Sequence, residues 1–371
     1  MNLILVLIMV SFYACNLDDN DEVSDNVPVL IEYTMPEESE THEGTWLYWP
    51  HQYQFGVAYR NSLDATWLEM TNALVSGEKV HIAAYDIVEK NRILGLLNNA
   101  GVNMINVDVK VLKTDDVWSR DGGPIYVRDK NGSLVVEDWG FNGWGNKFNF
   151  SNCNEVPKKI GLDQGKPVLD LNNLMIIEGG AVEIDGNGTL LATKSAILNA
   201  NRNPDMSVNQ AERILIKYYG VTNFIWLNGV PGLEITDMHI DGFAKFVNQN
   251  TLMTMSKTDL LEWEVPQVDI DALYAAKNKY GDAYTIVQLP LTQSNVVTTY
   301  GKNLGYKGSY VNFYIANNVV LVPNYDDLND VVANAIIQSQ FPNRTVIGID
   351  VRNLYEYGGM VHCVTQQQPA D

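Results

Sequence analysis

An α/β domain built from one repeated structural unit is the fold this sequence predicts. Two observations lead to it. Short apolar strands alternate with amphipathic helices along the chain. A unit of hairpin, helix and strand also recurs four or five times, although its residues do not repeat. Between residues 29 and 371 no long Pro/Gly/Ser stretch marks a linker, so this span reads as a single domain.

The elements follow in order. SLDATWLEMTNALVS has helical spacing, with Leu63, Trp67, Met70 and Leu74 on one face. KVHIAAY reads as a buried strand. DIVEKNRILGLLNNAG reads as a helix closing at Gly101, a residue free to adopt the left-handed conformation of a C-cap. VNMINVDVKVL is a strand. PIYVRD and SLVVEDWGF are two more, joined by a turn at Asn131-Gly132. VEIDGNGTLLATKSAIL is a hairpin around GNG, NQAERILIKYYG a helix and NFIWLNG a strand. FAKFVNQNTLMTMSK repeats the hairpin, with a helix at VDIDALYAAKNKYG and a strand at YTIVQLPL. YVNFYIANNVVLVPNY turns at Asn317-Asn318. A helix at LNDVVANAIIQSQFP and a strand at TVIGIDV complete the last unit.

Composition narrows the partners. Of 371 residues, 46% are apolar, enough for a substantial core. A net charge of −20 lacks the basic footprint that nucleic-acid binding needs. It suits a small cationic substrate, because an acidic surface raises the local concentration of cations. MNLILVLIMVSFYAC is too short for a spanning helix and reads as a signal peptide over 1–15. Its FYAC ending resembles a bacterial lipoprotein signal with Cys15 as the lipidated residue, although no Lys or Arg precedes the apolar run. The acidic NLDDNDEVSDN that follows makes residues 16–28 a flexible tether. The expected setting is an exported protein anchored to the cell envelope through Cys15, or otherwise secreted or periplasmic. Cys153 and Cys363 have no spacing that favours a disulfide, and Cys153 is expected to be buried. The sequence carries no signal for an oligomeric state.

Four stretches look out of place as plain structure. DDVWSRDGGPIYV sets Asp115, Asp116, Arg120 and Asp121 beside two glycines and a proline. MIIEGGAVEID ends an apolar run on Glu178 before two more glycines. TDMHIDGFAKFV separates His239 and Asp241 by one residue, which in a strand turns both to one face, with Asp237 beside them. GGMVHCVTQQQ places Cys363 after a histidine near the C-terminus. Each alone is ordinary: a turn, a surface pair, a small buried thiol. Together they put a nucleophile, a histidine and several carboxylates at glycine-flanked loop ends, where backbone can approach a ligand.

A thiol and a histidine suggest a cysteine hydrolase. A peptidase gains nothing from surplus acids, which destabilise a developing oxyanion. A cationic substrate does. A guanidinium is planar, always charged and rich in N–H donors, so two carboxylates can grip it edge-on. Held that way, its electrophilic carbon lies over the thiol. Bound charge would also favour the thiolate against those carboxylates.

The motifs MPEESETHEGTWLYWP, DDVWSRDGGPIYV, FNGWGNKF, IEGGAVEIDGNGTLLATKSAILNANRNP, TDMHIDGFAKFV, YVNFYIANNVVLVP and HCVTQQQPA run in this order from Tyr33 to Ala370. They resemble the agmatine deiminase and bacterial-type (Porphyromonas-type) peptidylarginine deiminase family of guanidino-group-modifying enzymes. That resemblance implies the five-bladed α/β propeller, or pentein, fold. It implies Cys363 as nucleophile, His239 as general acid and base, and Glu178 as the residue that orients His239. It implies Asp121 and Asp241 as guanidinium ligands, a covalent amidino-thioether intermediate, and no metal or organic cofactor.

This chain departs from the family pattern beside the reacting residues. YGGMVHC stands where agmatine deiminases commonly read G-G-G-N-I-H-C, and TDMHID where they read T-D-G-H-V-D. Tyr357, Met360 and Met238 are therefore candidates for reshaping the pocket of the substrate tail. Trp118, next to the Asp121 motif, is a candidate wall for a cationic tail. The expected reaction is hydrolysis of agmatine to N-carbamoylputrescine and ammonia. The alternative is conversion of peptidyl or free arginine to citrulline, which an exported enzyme would meet. An arginine carboxylate would want an arginine in the protein, and Arg120, Arg128 and Arg202 are candidates by position. A binding protein that keeps the cage without turnover is the reading of another class.

Overall fold

The computed structural model describes residues 28–371. The signal segment expected over 1–15, with Cys15, and all but the last residue of the tether expected over 16–28 lie outside the described residues.

Among the described residues the strands form five separate sheets, each built to one plan. Two strands pair antiparallel, the chain crosses over through a helix, and a third strand returns parallel to the second. A parallel return requires such a crossover, which is why hairpin, helix and strand recur in sequence. Ile125–Asp129 and Leu134–Gly140 pair antiparallel, and Val168–Ile176 joins parallel after the helix Val156–Asp163. Val182–Ile184, Thr189–Thr193 and Asn223–Leu227 repeat the plan around the helix Val208–Tyr219. So do Ala244–Asn248, Thr251–Met255 and Thr285–Leu289, and then Tyr314–Ile315, Val319–Asn324 and Thr345–Asp350. The remaining sheet joins both ends of the chain: Gln366–Pro369 pairs antiparallel with His42–Tyr48, which runs parallel to Lys79–Ala84. This is the five-module α/β architecture.

Local chemistry explains most boundaries. Gly132, at φ 83°, makes the tight turn after Asn131. Ser207 and Gln210 form a capping box at the start of Val208–Tyr219, and Gly220 ends it at φ 71°. The largest apolar cluster gathers Leu47, Trp67, Leu252, Phe313, Leu321 and Val364 from three different sheets and their flanks.

Two expectations need correction, and two strands had none. The segment 102–112 is a strand only over Val107–Val111, after a short 3-10 turn. His42–Tyr48 and Val168–Ile176 are strands with no clean alternation in sequence. TDMHID is not a strand. His239 caps a single 3-10 turn, Ile240–Gly242, so the alternation argument for a shared face does not apply.

Candidate active site

Each sheet contributes to one cluster from the same place in its own module, two to four residues before the first strand of the antiparallel pair. Asp121 precedes Ile125–Asp129, Glu178 precedes Val182–Ile184 and Asp241 precedes Ala244–Asn248. Asn312 precedes Tyr314–Ile315 and Cys363 precedes Gln366–Pro369. Four of these segments hold a single helical turn: Ser119–Gly122, Gly179–Ala181, Ile240–Gly242 and His362–Val364.

The side chains meet. His239 Nε2 lies 2.8 Å from Glu178 Oε2, and its Nδ1 faces Asp121 Oδ1 at 3.7 Å. Cys363 Sγ lies 3.7 Å from Asp241 Oδ2 and 3.4 Å from the Asn312 amide nitrogen. Gly180 explains the glycine pair after Glu178. A Cβ there would stand 2.7 Å from His239 Nδ1, 2.9 Å from Asp121 Oδ1 and 3.1 Å from Asp241 Oδ2. Its N–H donates to Asp121 Oδ1 at 3.0 Å. Trp144 donates its indole N–H to Asp121 Oδ2 at 2.9 Å from a left-handed backbone, φ 56°, a conformation costing roughly 1 kcal/mol for a bulky residue.

The cluster is buried, and its charges set one another. Burial works against a charged His239, but Asp121, then Glu178 and Asp241, outweigh it and raise its pKa to about 9. Burial pushes Asp121 up to about 6. His239 offsets part of that shift, while Glu178 and Asp241 add to it. Burial, then Asp241 and Asp121, push the Cys363 thiol well above its ordinary range. Without a bound cation the site therefore holds an imidazolium and a neutral thiol. A guanidinium between Asp121 and Asp241 would cancel the field that keeps the thiol protonated.

A pocket of about 350 Å³ opens outward from Cys363 and Asp121. Trp118 and Trp144 line its inner part, and Asp116 lies beside them. Asp116 is buried, accepts a hydrogen bond from the Val117 N–H at 2.7 Å and has its pKa raised to about 7, chiefly by burial. Phe55, Tyr357 and Glu356 stand at the outer part. Tyr357 stacks on Phe55, ring centroids 6.0 Å apart, and meets Tyr59 edge-on at 4.7 Å. Gly359 is needed because a Cβ there would lie 2.2 Å from the Trp118 ring. Among the described residues no lysine or arginine lines this pocket.

Several expected residues sit elsewhere. Met238 and Met360 belong to the apolar core and do not line the pocket. Met238 instead fills a left-handed position, φ 77°, where the family pattern has glycine. None of the three candidate arginines faces the pocket. Arg202 is fully buried, gripping Glu178 at 2.7 Å and Asp237 at 2.6 Å. Arg120 pairs with Glu38 at 3.2 Å, and Arg128 donates to the Ala370 carbonyl at 2.8 Å. Cys153 is buried and free, and its sulfur accepts from the Asp115 N–H at 3.2 Å. Cys363 is also free, so the two form no disulfide.

Sequence reasoning missed Asn312, which touches the Cys363 sulfur and also donates to the Asp241 carbonyl at 3.1 Å. The one signal was positional: Asn312 precedes a hairpin as the other site residues do. The hydrogen bond from Trp144 to Asp121 had no sequence signature.

The described fold agrees with comparisons to known proteins. A family model, Porphyromonas-type peptidyl-arginine deiminase, matches residues 34–369. The chain belongs to this family. It is 31% identical over 369 residues to the agmatine deiminase of Pseudomonas aeruginosa (strain LESB58), covering 91% of this chain and 96% of that protein. The agmatine deiminase of Enterococcus faecalis superposes with a TM-score of 0.79 at 25% identity, over 91% of this chain and 96% of that one. A Cys-to-Ser variant of the C. jejuni agmatine deiminase with substrate bound superposes with a TM-score of 0.77 at 25% identity, over the same shares.

Proposed function

We propose that this family member is a guanidine iminohydrolase that converts agmatine and water into N-carbamoylputrescine and ammonia. The observation that carries the substrate assignment is the pocket beyond the guanidinium cage. It offers Asp116 and aromatic faces to a substrate tail, and no cation among the described residues. An ammonium fits that wall by charge and by cation–π contact, whereas an arginine carboxylate would face Asp116 unpaired. Kinship with agmatine deiminases supports the same reading.

Asp121 and Asp241 would grip the guanidinium from two sides and seat its carbon over Cys363. The bound cation lowers the cost of the thiolate, and the thiol proton leaves to solvent as the substrate enters. Sulfur attacks the guanidinium carbon. His239, held as imidazolium, gives its proton to the departing nitrogen, so ammonia leaves and an amidino-thioether cation remains on Cys363. Neutral His239 then takes a proton from water as the oxygen adds to the same carbon. The C–S bond breaks as the added hydroxyl gives its remaining proton to solvent or to the released ammonia, so the neutral ureido product leaves and the thiolate returns. Glu178, braced by Arg202, keeps the imidazole aimed through both halves.

Turnover of agmatine by the full chain tests this directly. Ammonia and N-carbamoylputrescine should appear in equal amounts and vanish in Cys363→Ala. A competent, agmatine-binding wild type that releases neither would leave a binding protein instead. The apolar run ending at Cys15 and the acidic stretch after it support export with a lipid anchor at Cys15. Radiolabelled palmitate should label wild-type cells and not Cys15→Ala; equal labelling would remove that anchor.

A further inference from the structure

We propose that His362 is a positioning residue whose two ring N–H groups lock Asp241 onto a buried ionic brace. The inference rests on the guanidine-hydrolase reading above and concerns a residue that reading leaves without a part.

The ring lies between two carboxylates. Nδ1 is 2.8 Å from Asp241 Oδ2, and Nε2 is 2.7 Å from Glu38 Oε2. An ionised carboxylate only accepts, and a neutral imidazole has a single N–H. Both contacts are hydrogen bonds only when both ring nitrogens carry hydrogen, unless a carboxyl supplies one. Glu38 is not that carboxyl. Its Oε2 also accepts from Arg120 at 3.2 Å and Lys245 at 3.1 Å, and its Oε1 accepts from the Ile315 N–H at 2.8 Å. Burial opposes this ionisation, yet Lys245, His362 and Arg120 hold the Glu38 carboxyl well below the ordinary range. Asp241 is likewise held low against burial, by its bond to His362 before any other group.

The groups around the ring balance. Lys245 also reaches Glu183 Oε1 at 3.2 Å and lies over the Phe313 ring. Arg120 lies over the Tyr314 ring. With a doubly protonated His362, the cluster pairs three cations, Arg120, Lys245 and His362, with three carboxylates, Glu38, Glu183 and Asp241. With a neutral ring, a buried carboxylate oxygen would face a lone pair, a costly arrangement away from water. The consequence reaches the chemistry. Asp241 Oδ2 is tied down 3.7 Å from the Cys363 sulfur, so the carboxylate cannot rotate away from the place a guanidinium would occupy. His362 also fixes the backbone before Cys363, because its N–H donates to Asn312 Oδ1 at 2.9 Å.

The test has one arm without substrate and one with it. The full chain contains only five histidines. Ring-labelled ¹⁵N-histidine spectra of the substrate-free protein, assigned with His362→Gln, should show both His362 nitrogens bonded to hydrogen. A single protonated nitrogen in the folded, substrate-free protein would overturn the proposal. In the second arm, agmatine binding is measured by calorimetry on the inactive Cys363→Ala protein, with and without His362→Gln or Glu38→Gln. Both should weaken affinity, His362→Gln by on the order of tenfold or more, as expected when a charge-gripping carboxylate loses its orientation. Unchanged affinity in folded variants would overturn the positioning role. If the Cys363→Ala protein binds no agmatine at all, that failure belongs to the substrate assignment, and the ring spectra still decide the lock. If the His362 variant does not fold, Glu38→Gln and the wild-type spectra decide it.

Discussion

Glu178 and His239 come from different modules and share a 2.8 Å contact, while Arg202 holds the other edge of the same carboxylate at 2.7 Å. The histidine is thus aimed by a carboxylate that is itself pinned, and the pin continues through Arg202 to Asp237. Arg202→Met would leave the buried Glu178 with only His239, and Asp237 with only Lys147, as cationic partner. The expected loss of stability is about 3–5 kcal/mol, read by chemical denaturation, with turnover falling as well. A loss under about 1 kcal/mol would show that the pair contributes little beyond its desolvation cost.

The pH dependence of kcat/KM should be bell-shaped. Asp116 must be ionised to hold the ammonium and Asp121 to hold the guanidinium, so activity falls as pH drops through about 7 and further through about 6. His239 must be protonated to release ammonia, so activity falls as pH rises through about 9. Both signs follow from which form does the work, and the profile of kcat/KM reports the free enzyme. A profile that kept rising above about pH 9 would contradict His239 as the acid.

Asp116 should read the tail and not the reaction. Asp116→Asn is expected to raise KM for agmatine by roughly tenfold, the scale of one buried charge contact, with a smaller change in kcat. Butylguanidine, which lacks the ammonium, should be affected far less by the same substitution. Equal effects on both compounds would assign Asp116 to the structure of the Trp118 segment.

Tyr357 replaces a glycine of the family pattern and closes the outer pocket against Phe55. Tyr357→Gly should widen the mouth and raise turnover of bulky guanidines relative to agmatine. It also removes two aromatic contacts, at a cost of about 1–2 kcal/mol in stability. An unchanged ranking of guanidines by size would mean that Tyr357 only packs against Tyr59 and Phe55.

Much of this was legible in the residues. Hairpin, helix and strand leave different periodicities, so four of the modules could be read from alternation, capping glycines and turn dipeptides. The fifth could not, because it joins the two ends of the chain and its closing strand is Gln366–Pro369. Three consecutive glutamines do not look like a buried strand. They are buried because each side chain is bonded: Gln366 to the Pro124 carbonyl, Gln367 to Arg120, and Gln368 to Trp46, Tyr126 and Gln164. In the site, Asp121, Glu178, His239, Asp241 and Cys363 stood out because glycines and charges interrupt apolar runs there. Asn312 and His362 did not, since their partners are distant in sequence. Arg202 looked like a free recognition residue because sequence does not show which carboxylates will surround it.

The central claim is that this cysteine-based site acts on a guanidine with a cationic tail. Its most direct test is kcat/KM for agmatine, free arginine and a peptide ending in arginine, measured side by side with Cys363→Ala as control. The pocket predicts agmatine ahead of both arginine substrates by on the order of a hundredfold, as expected for an unpaired carboxylate facing Asp116, and no turnover by the control. Preference for the peptide, or turnover without the Cys363 thiol, would contradict it.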